Sequence, residues 1–247
     1  MRVPRLPVDA GVVRGARVAL TSEQAHHLLR VLRLPDGAEI HLFDGAPGDW
    51  VGKLRVEGKR RAAVEVEAFV ARATESALSV ELVQGVCRGQ RMDYALEKSV
   101  ELGVASIQPV VMTRSQAAPE GERVPRKMGH WGGVIAAAAA QSGRTCLPAL
   151  APLTGFRDWL AARDCRQHPH ILLDPQADGG ARDLALPNSA ATSITLLAGP
   201  EGGFAPTERS AAYEAGCVGL RLGPRVLRTE TAALVALAVL QGLYGDL

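Results

Sequence analysis

Between residues 193 and 241 the chain uses one local plan twice. SITLLA leads into the glycine loop of GPEGGF and a helix opening, and CVGLRL leads into LGPRVLR and then TETAALVALAVLQ. In each half a short apolar run of strand character meets a loop carrying glycine, then the start of a helix. Two such units in succession predict an α/β fold in which two parallel strands end side by side, the edge where open α/β sheets hold their ligands.

The two loops suit a flat ligand. Gly199, Gly202 and Gly203 leave backbone N–H and C=O groups free of side-chain cover. Leu222, Gly223 and Leu227 offer apolar walls and backbone, and Arg225 and Arg228 bring two guanidinium groups. Thr229 reads as an N-cap, with Glu230 in the first turn of the closing helix. Neither phosphate-binding pattern, G-x-G-x-x-G opening a βαβ unit or G-x-x-x-x-G-K-[ST], is present. Any nucleotide-like ligand is therefore expected to be held by backbone and apolar walls.

GPEGGF together with LGPRVLRTETAAL closely resembles the C-terminal signature of the SPOUT methyltransferases, specifically the RsmE family, which methylates N3 of a uridine in bacterial 16S ribosomal RNA. The resemblance extends to EKSVELGV at 97–104, QSGR at 141–144, and RVLRLPDG with HLFDG at 31–45, so it spans nearly the whole chain. It implies a PUA-like RNA-binding β-barrel at 1–72 and a SPOUT domain at 73–247 with a parallel sheet and a deep trefoil knot. The knotted loops would be 172–175, 198–203 and 222–228. General topology rules disfavour knots, so that feature comes from the resemblance alone.

By the same resemblance the cofactor is S-adenosylmethionine, held by Leu173, Gly199, Glu201, Gly202, Gly203, Leu222, Gly223 and Leu227. The substrate is 16S rRNA within the assembled small subunit, and the chain is a homodimer. Uracil N3 keeps its proton at neutral pH, so transfer needs a proton acceptor and a cation near O2 or O4. Arg228 is assigned as that cation, though it could instead pair with Glu230 or cap carbonyls. Glu201 is either the proton acceptor, a carboxylate orienting the cofactor, or an acceptor of backbone N–H bonds that stabilises its own loop. Two departures from the family pattern stand out: Ala140, where a glutamate is common, and Ala205, where Ser or Thr would cap a helix. A ribose 2′-O-methyltransferase and a non-enzymatic RNA-binding assembly factor are the rival readings.

Charge adds to the picture of the first domain. Net charge is only +2, but residues 1–61 hold 11 Lys plus Arg against 7 Asp plus Glu. Such clustering suits phosphate contacts, and Arg2, Arg5, Arg30 and Arg33 are assigned to RNA. The same region reads as short strands at 17–20, 38–43, 50–56 and 62–70, the last alternating at Val64, Val66 and Ala68. Thr21 to Gln24 forms a capping box that opens a helix to about 32.

After a small, polar stretch at 71–77, strands alternate with helices. Strands are expected at 78–83, 107–112 and 170–173, and helices at 91–102, within 126–141 and at 155–162. The glycine pair at 132–133 with the alanines after it predicts close helix contact. The closing helix, apolar nearly all round from 232 to 240, is expected to be enclosed by protein on every side, either within one subunit or at a subunit interface. Four scattered cysteines without a C-x-x-C pair, and histidines without partner clusters, predict reduced thiols and no metal. No apolar stretch approaches the ~20 residues of a membrane span, and no leader follows Met1, so a cytoplasmic protein is expected.

Overall fold

The structure, a computed structural model, describes residues 3–58, 60–166, 168–184 and 193–247. The chain divides into two compact units, Met1–Glu75 with Ala139–Leu147, and Ser76–Ala138 with Pro148–Leu247.

In the first unit, β1 (Arg5–Pro7), β2 (Arg17–Ala19), β3 (Glu39–Phe43), β4 (Gly48–Val56) and β5 (Ala62–Ala71) form one sheet in the order β1-β3-β4-β5-β2. Only β1 and β3 run parallel; the other neighbours are antiparallel. Helix α1 (Ser22–His26) starts as the sequence predicts. Thr21 Oγ1 accepts from Gln24 N at 3.2 Å while Gln24 Oε1 accepts from Thr21 N at 2.9 Å, satisfying two backbone donors reciprocally. The helix then widens into a π-helical turn, His27–Val31. Ala25, Leu28, Ile40, Leu42, Leu54 and Val64 are fully buried between helix and sheet.

The alternation expected along β5 stops after Val66. Val51 pairs with Ala68 and Gly52 with Val66, so Glu67 is an extra, bulged residue and Ala68 is turned outward. Gly52 is required at this bulge, because a Cβ there would stand 2.3 Å from the Glu65 carbonyl oxygen.

The second unit is built on an all-parallel sheet. Its strands are β6 (Ser79–Gly85), β7 (Ser106–Val111), β8 (Ala149–Leu150), β9 (Thr154–Gly155), β10 (His170–Leu173), β11 (Ser193–Ala198) and β12 (Val218–Leu220). They lie in the order β12-β10-β11-β6-β7-β8, with β9 also on β7. Helices α2 (Gln90–Glu101), α3 (Arg123–Ser142, its residues from Ala139 on belonging to the first unit), α4 (Phe156–Ala161), α5 (Pro206–Glu214) and α6 (Thr229–Tyr244) connect them. Strands covered on both faces read as continuous apolar runs, and Ile171, Leu172, Ile194, Leu196 and Leu197 are buried. Helix α2 buries Met92, Ala95, Leu96 and Val100, and Gly103 at φ +80° follows it.

Three expectations change. The strands of the repeated plan, β11 and β12, are not neighbours; β10 lies between them and pairs with both. Helix α6 buries one face, Ala233, Ala236, Leu237 and Leu240, while Val235 and Leu243 on other faces are 37% and 55% exposed, so the chain itself does not enclose it. A Cβ added at Gly132 or Gly133 would meet nothing within 4 Å, so these glycines do not mark a close helix contact among the described residues. No helix is long and apolar enough to cross a membrane among the described residues.

Candidate active site

Because β12, β10 and β11 are adjacent and parallel, the loops after all three leave the sheet at one edge. They surround a pocket of about 510 Å³. Leu173, Gly199, Glu201, Gly202, Gly203, Leu222, Gly223, Leu227 and Arg228 all line it, so every cofactor and catalytic residue named from the sequence converges there. The insertion of β10 is what brings Leu173 to the same wall as the two glycine loops.

The glycines do different work at this edge. Gly203 and Gly223 hold positive φ, +65° and +78°, which a side chain would strain. Gly199 lies close against its own loop: a Cβ would come within 3.2 Å of the Gly203 backbone, which would have to give way by a few tenths of an ångström.

Beneath the pocket, buried polar groups tie the loops to the sheet. Thr229 is buried, its hydroxyl donates to the Gly199 carbonyl oxygen, and Gln84 Nε2 at the end of β6 donates to Thr229 Oγ1 at 3.2 Å. The N-cap of α6 is Arg228, so Thr229, expected in that position, is the first helical residue. Its side chain serves the neighbouring loop instead of its own helix end.

Glu201 Oε1 accepts from the Arg88 backbone N–H at 2.7 Å and lies 3.6 Å from Arg91 Nη1. Its Oε2 is buried without a hydrogen-bond partner among the described residues. One half of the carboxylate therefore holds the loop, and the other half is uncommitted. Arg228 is exposed on the pocket rim and makes no ion pair or side-chain hydrogen bond with the described residues, so the pairing with Glu230 considered from the sequence does not occur.

Several residues of the site were not read from the sequence. Arg114 Nη1 donates to the Gly202 carbonyl at 2.9 Å. Glu208, only 3% exposed, accepts from Ala205 N at 2.9 Å and from Thr113 N and Oγ1 at 2.8 and 2.9 Å. It thereby makes the half of a capping box that needs no Ala205 side chain, and locks the start of α5 to the end of β7. Asp174 Oδ2 accepts from the Tyr213 hydroxyl at 2.8 Å. Burial, with Asp174 beside it, pushes that phenol up to about 12.

The arginines assigned to RNA separate. Arg2 lies outside the described residues. Arg30 and Arg33 are exposed, and Arg33 adopts φ +54° after the π-helical turn. Arg5 is a correction: it is 8% exposed and its donors are consumed within the first unit. Nη2 lies 2.5 Å from Asp49 Oδ1 and 2.8 Å from the Arg144 carbonyl, and Nη1 donates to Ala140 O at 3.2 Å. It caps the carbonyl end of α3 and has no donor left for a phosphate. Among the described residues no group of three or more metal-ligating side chains assembles.

An RNA methyltransferase domain family matches residues 74–241, and an RNA methyltransferase PUA domain family matches residues 20–67. The chain is 31% identical to ribosomal RNA small subunit methyltransferase E of Synechocystis, over 97% of this chain and 77% of the relative. Among solved structures, ribosomal RNA small subunit methyltransferase E of Neisseria gonorrhoeae bound to S-adenosyl methionine superposes with a TM-score of 0.88 at 34% identity, covering 99% of each chain. A Legionella pneumophila protein in complex with the same cofactor superposes with a TM-score of 0.92 at 33% identity, covering 100% of each.

Proposed function

The chain belongs to the RNA methyltransferase family, and from that premise we propose that it methylates N3 of a uridine in small-subunit ribosomal RNA with S-adenosylmethionine as donor. The observation that carries the reading is the convergence of the loops after β10, β11 and β12 on one glycine-walled pocket that also holds Glu201 and Arg228.

The residues fit this cofactor on their own chemistry. A nucleoside needs flat walls and backbone partners, which Leu173, Leu222 and Leu227 and the glycines at 199, 202, 203 and 223 provide. A cationic donor needs negative charge nearby, and Glu201 brings a buried, unpaired carboxylate oxygen. Bound there, S-adenosylmethionine supplies a methyl already activated on a sulfonium sulfur, so the protein's task is alignment and exclusion of water.

Uracil N3 must lose its proton as the new N–C bond forms, which leaves negative charge on O2 and O4. Arg228, free on the rim, is positioned to stabilise that charge. Glu201 Oε2 is an uncommitted oxygen that can accept the proton, while Oε1 keeps the loop in place through Arg88. Residues 1–72 act as the PUA-like module, with Arg30 and Arg33 facing RNA phosphates. The outward apolar residues of α6, Val235 and Leu243, support a homodimer that covers them. The trefoil knot through 172–175, 198–203 and 222–228, the 73–247 boundary, the assembled small subunit as substrate, and a cytoplasmic location belong to the same reading.

Nucleoside mass spectrometry tests it, after incubation of the protein and S-adenosylmethionine with small subunits lacking the modification and with naked 16S RNA. New 3-methyluridine on the subunits is expected. A 2′-O-methylated nucleoside would overturn the base assignment, and no methylation on either substrate would favour an RNA-binding assembly factor.

A further inference from the structure

Glu230, in the first turn of α6, lines the same pocket as Glu201. Its carboxylate makes no hydrogen bond or ion pair with any described residue, and its Oε2 is buried. Glu201 is half in that condition, with Oε1 held by Arg88 N and Oε2 buried and unpaired. A carboxylate oxygen removed from water without a donor is costly. Two of them lining one pocket leave negative charge there that a cationic ligand group can pair with.

The surroundings agree. Burial first, and the charges of Glu201 and Glu230 with it, push the Cys87 thiol up to about 12, so both carboxylates act on the same small volume. The arginines of the pocket offset this field only in part. Arg91 pairs with Glu201 Oε1 at 3.6 Å but is exposed, as are Arg114, Arg225 and Arg228, where solvent screens them; Arg209 is engaged with Gln176 and Asp174, and none of them pairs with Glu230 among the described residues.

Resting on the S-adenosylmethionine reading of the pocket, we infer that Glu201 and Glu230 together read the positive charge on the donor sulfur and so distinguish the donor from its demethylated product. The two compounds share adenine, ribose, α-ammonium and α-carboxylate. They differ only in one methyl group and one charge. As the methyl moves, the carbon–sulfur bond breaks with its electron pair going to sulfur, and the N3–C bond forms with the pair left when the N3 proton departs. The sulfur becomes a neutral thioether; Glu201 Oε2 takes the N3 proton and is neutralised with it, while Glu230 keeps its charge and loses its counterion. Glu230 is then a specificity-determining residue that favours exchange of product for donor. The plainer role of Glu230, an acid in the first turn favoured by the helix dipole, would stabilise α6 without telling the two ligands apart.

The test is calorimetric titration of the full chain and of Glu230→Gln with S-adenosylmethionine and, separately, S-adenosylhomocysteine, with thermal unfolding of each protein alongside. The expected result is that the substitution weakens the donor by about tenfold, the scale of one charge at short range in a partly screened site, and leaves the product within about twofold. Glu230→Asp, which keeps the charge, restores part of the preference. Equal weakening of both ligands, or no change in either, overturns the inference while the pocket assignment stands. Failure of the unsubstituted protein to bind either ligand overturns the pocket assignment and the inference with it. Should Glu230→Gln not fold, Glu201→Gln must show the same selective loss.

Discussion

The hydroxyl of Thr229 donates to the carbonyl oxygen of Gly199, joining the first residue of α6 to the loop that follows β11. The same hydroxyl accepts from Gln84 Nε2 at 3.2 Å, so one small side chain clasps a helix, a loop and the end of β6. Thr229→Val keeps the shape and removes the clasp. Loss of a buried hydrogen bond with its partner left unsatisfied costs about 1–3 kcal/mol. Urea unfolding should show that loss, and titration should show weaker S-adenosylmethionine binding from a loosened Gly199 loop.

Arg228 stands on the rim with its guanidinium uncommitted. If it stabilises the charge that develops on uracil, Arg228→Ala lowers kcat by about a hundredfold, the usual scale for one lost electrostatic contact at a reacting centre. Thermal stability and S-adenosylmethionine affinity should stay near those of the unchanged protein. A pure loss of cofactor affinity with kcat intact would place Arg228 in cofactor binding instead.

Arg5 and the pair Arg30 and Arg33 should respond in opposite ways. Arg5→Met breaks the buried pair with Asp49 and uncaps carbonyls at Ala140 and Arg144, so a stability loss of about 3–5 kcal/mol is expected. Changing Arg30 and Arg33 to Glu touches only exposed groups. It should leave unfolding unchanged within about 0.5 kcal/mol and lower RNA affinity, with a shallower dependence on salt.

Glu75 gives the first unit an acid-sensitive joint. Burial pushes its carboxyl up, but Arg144, at 2.5 Å from Oε2, and the backbone N–H groups of Cys146 and Thr145 outweigh that and hold it below the usual range. A carboxylate with a lowered folded pKa contributes stability above its unfolded pKa of about 4.3. That contribution disappears as pH falls through the folded value. Stability should therefore decline below about pH 4.5, and Glu75→Gln should flatten that part of the curve while lowering stability at pH 7. Equilibrium unfolding at a series of pH values reads both effects.

With its thiol pushed up to about 12 by burial and by Glu201 and Glu230, Cys87 should resist alkylation. At pH 8 iodoacetamide should label it at least about a hundredfold more slowly than a free thiol, with labelling becoming rapid in denaturant. Peptide mass spectrometry over a time course measures the difference.

How much of this was legible depended on whether the cause was local. The capping box at Thr21 and Gln24, the strands at 170–173 and 193–198, and the glycine loops could be read because each is fixed by residues a few positions apart. The place of β10 between β11 and β12 could not, since strand order in a parallel sheet is set by crossovers and not by any stretch of sequence. Arg5 was misread for the same reason. Its partners at 49, 140 and 144 lie far along the chain, and a buried arginine has the same composition signal as an exposed one. Glu67 hid a bulge that no alternation count reveals. Glu208 did leave a trace: an acid three residues after an uncapped Ala205 is half of a capping box.

The contacts that close the pocket floor run from Gln84 to Thr229 and from Arg88 to Glu201, separations of 145 and 113 residues. Partners so distant meet late, because the intervening chain must be ordered before either bond can form. The central pairing of β6 with β11 spans a like separation, Ser79 to Ser193, so the floor closes as the sheet does, and the appearance of cofactor affinity in a refolding experiment can serve as a clock for the joining of those two strands.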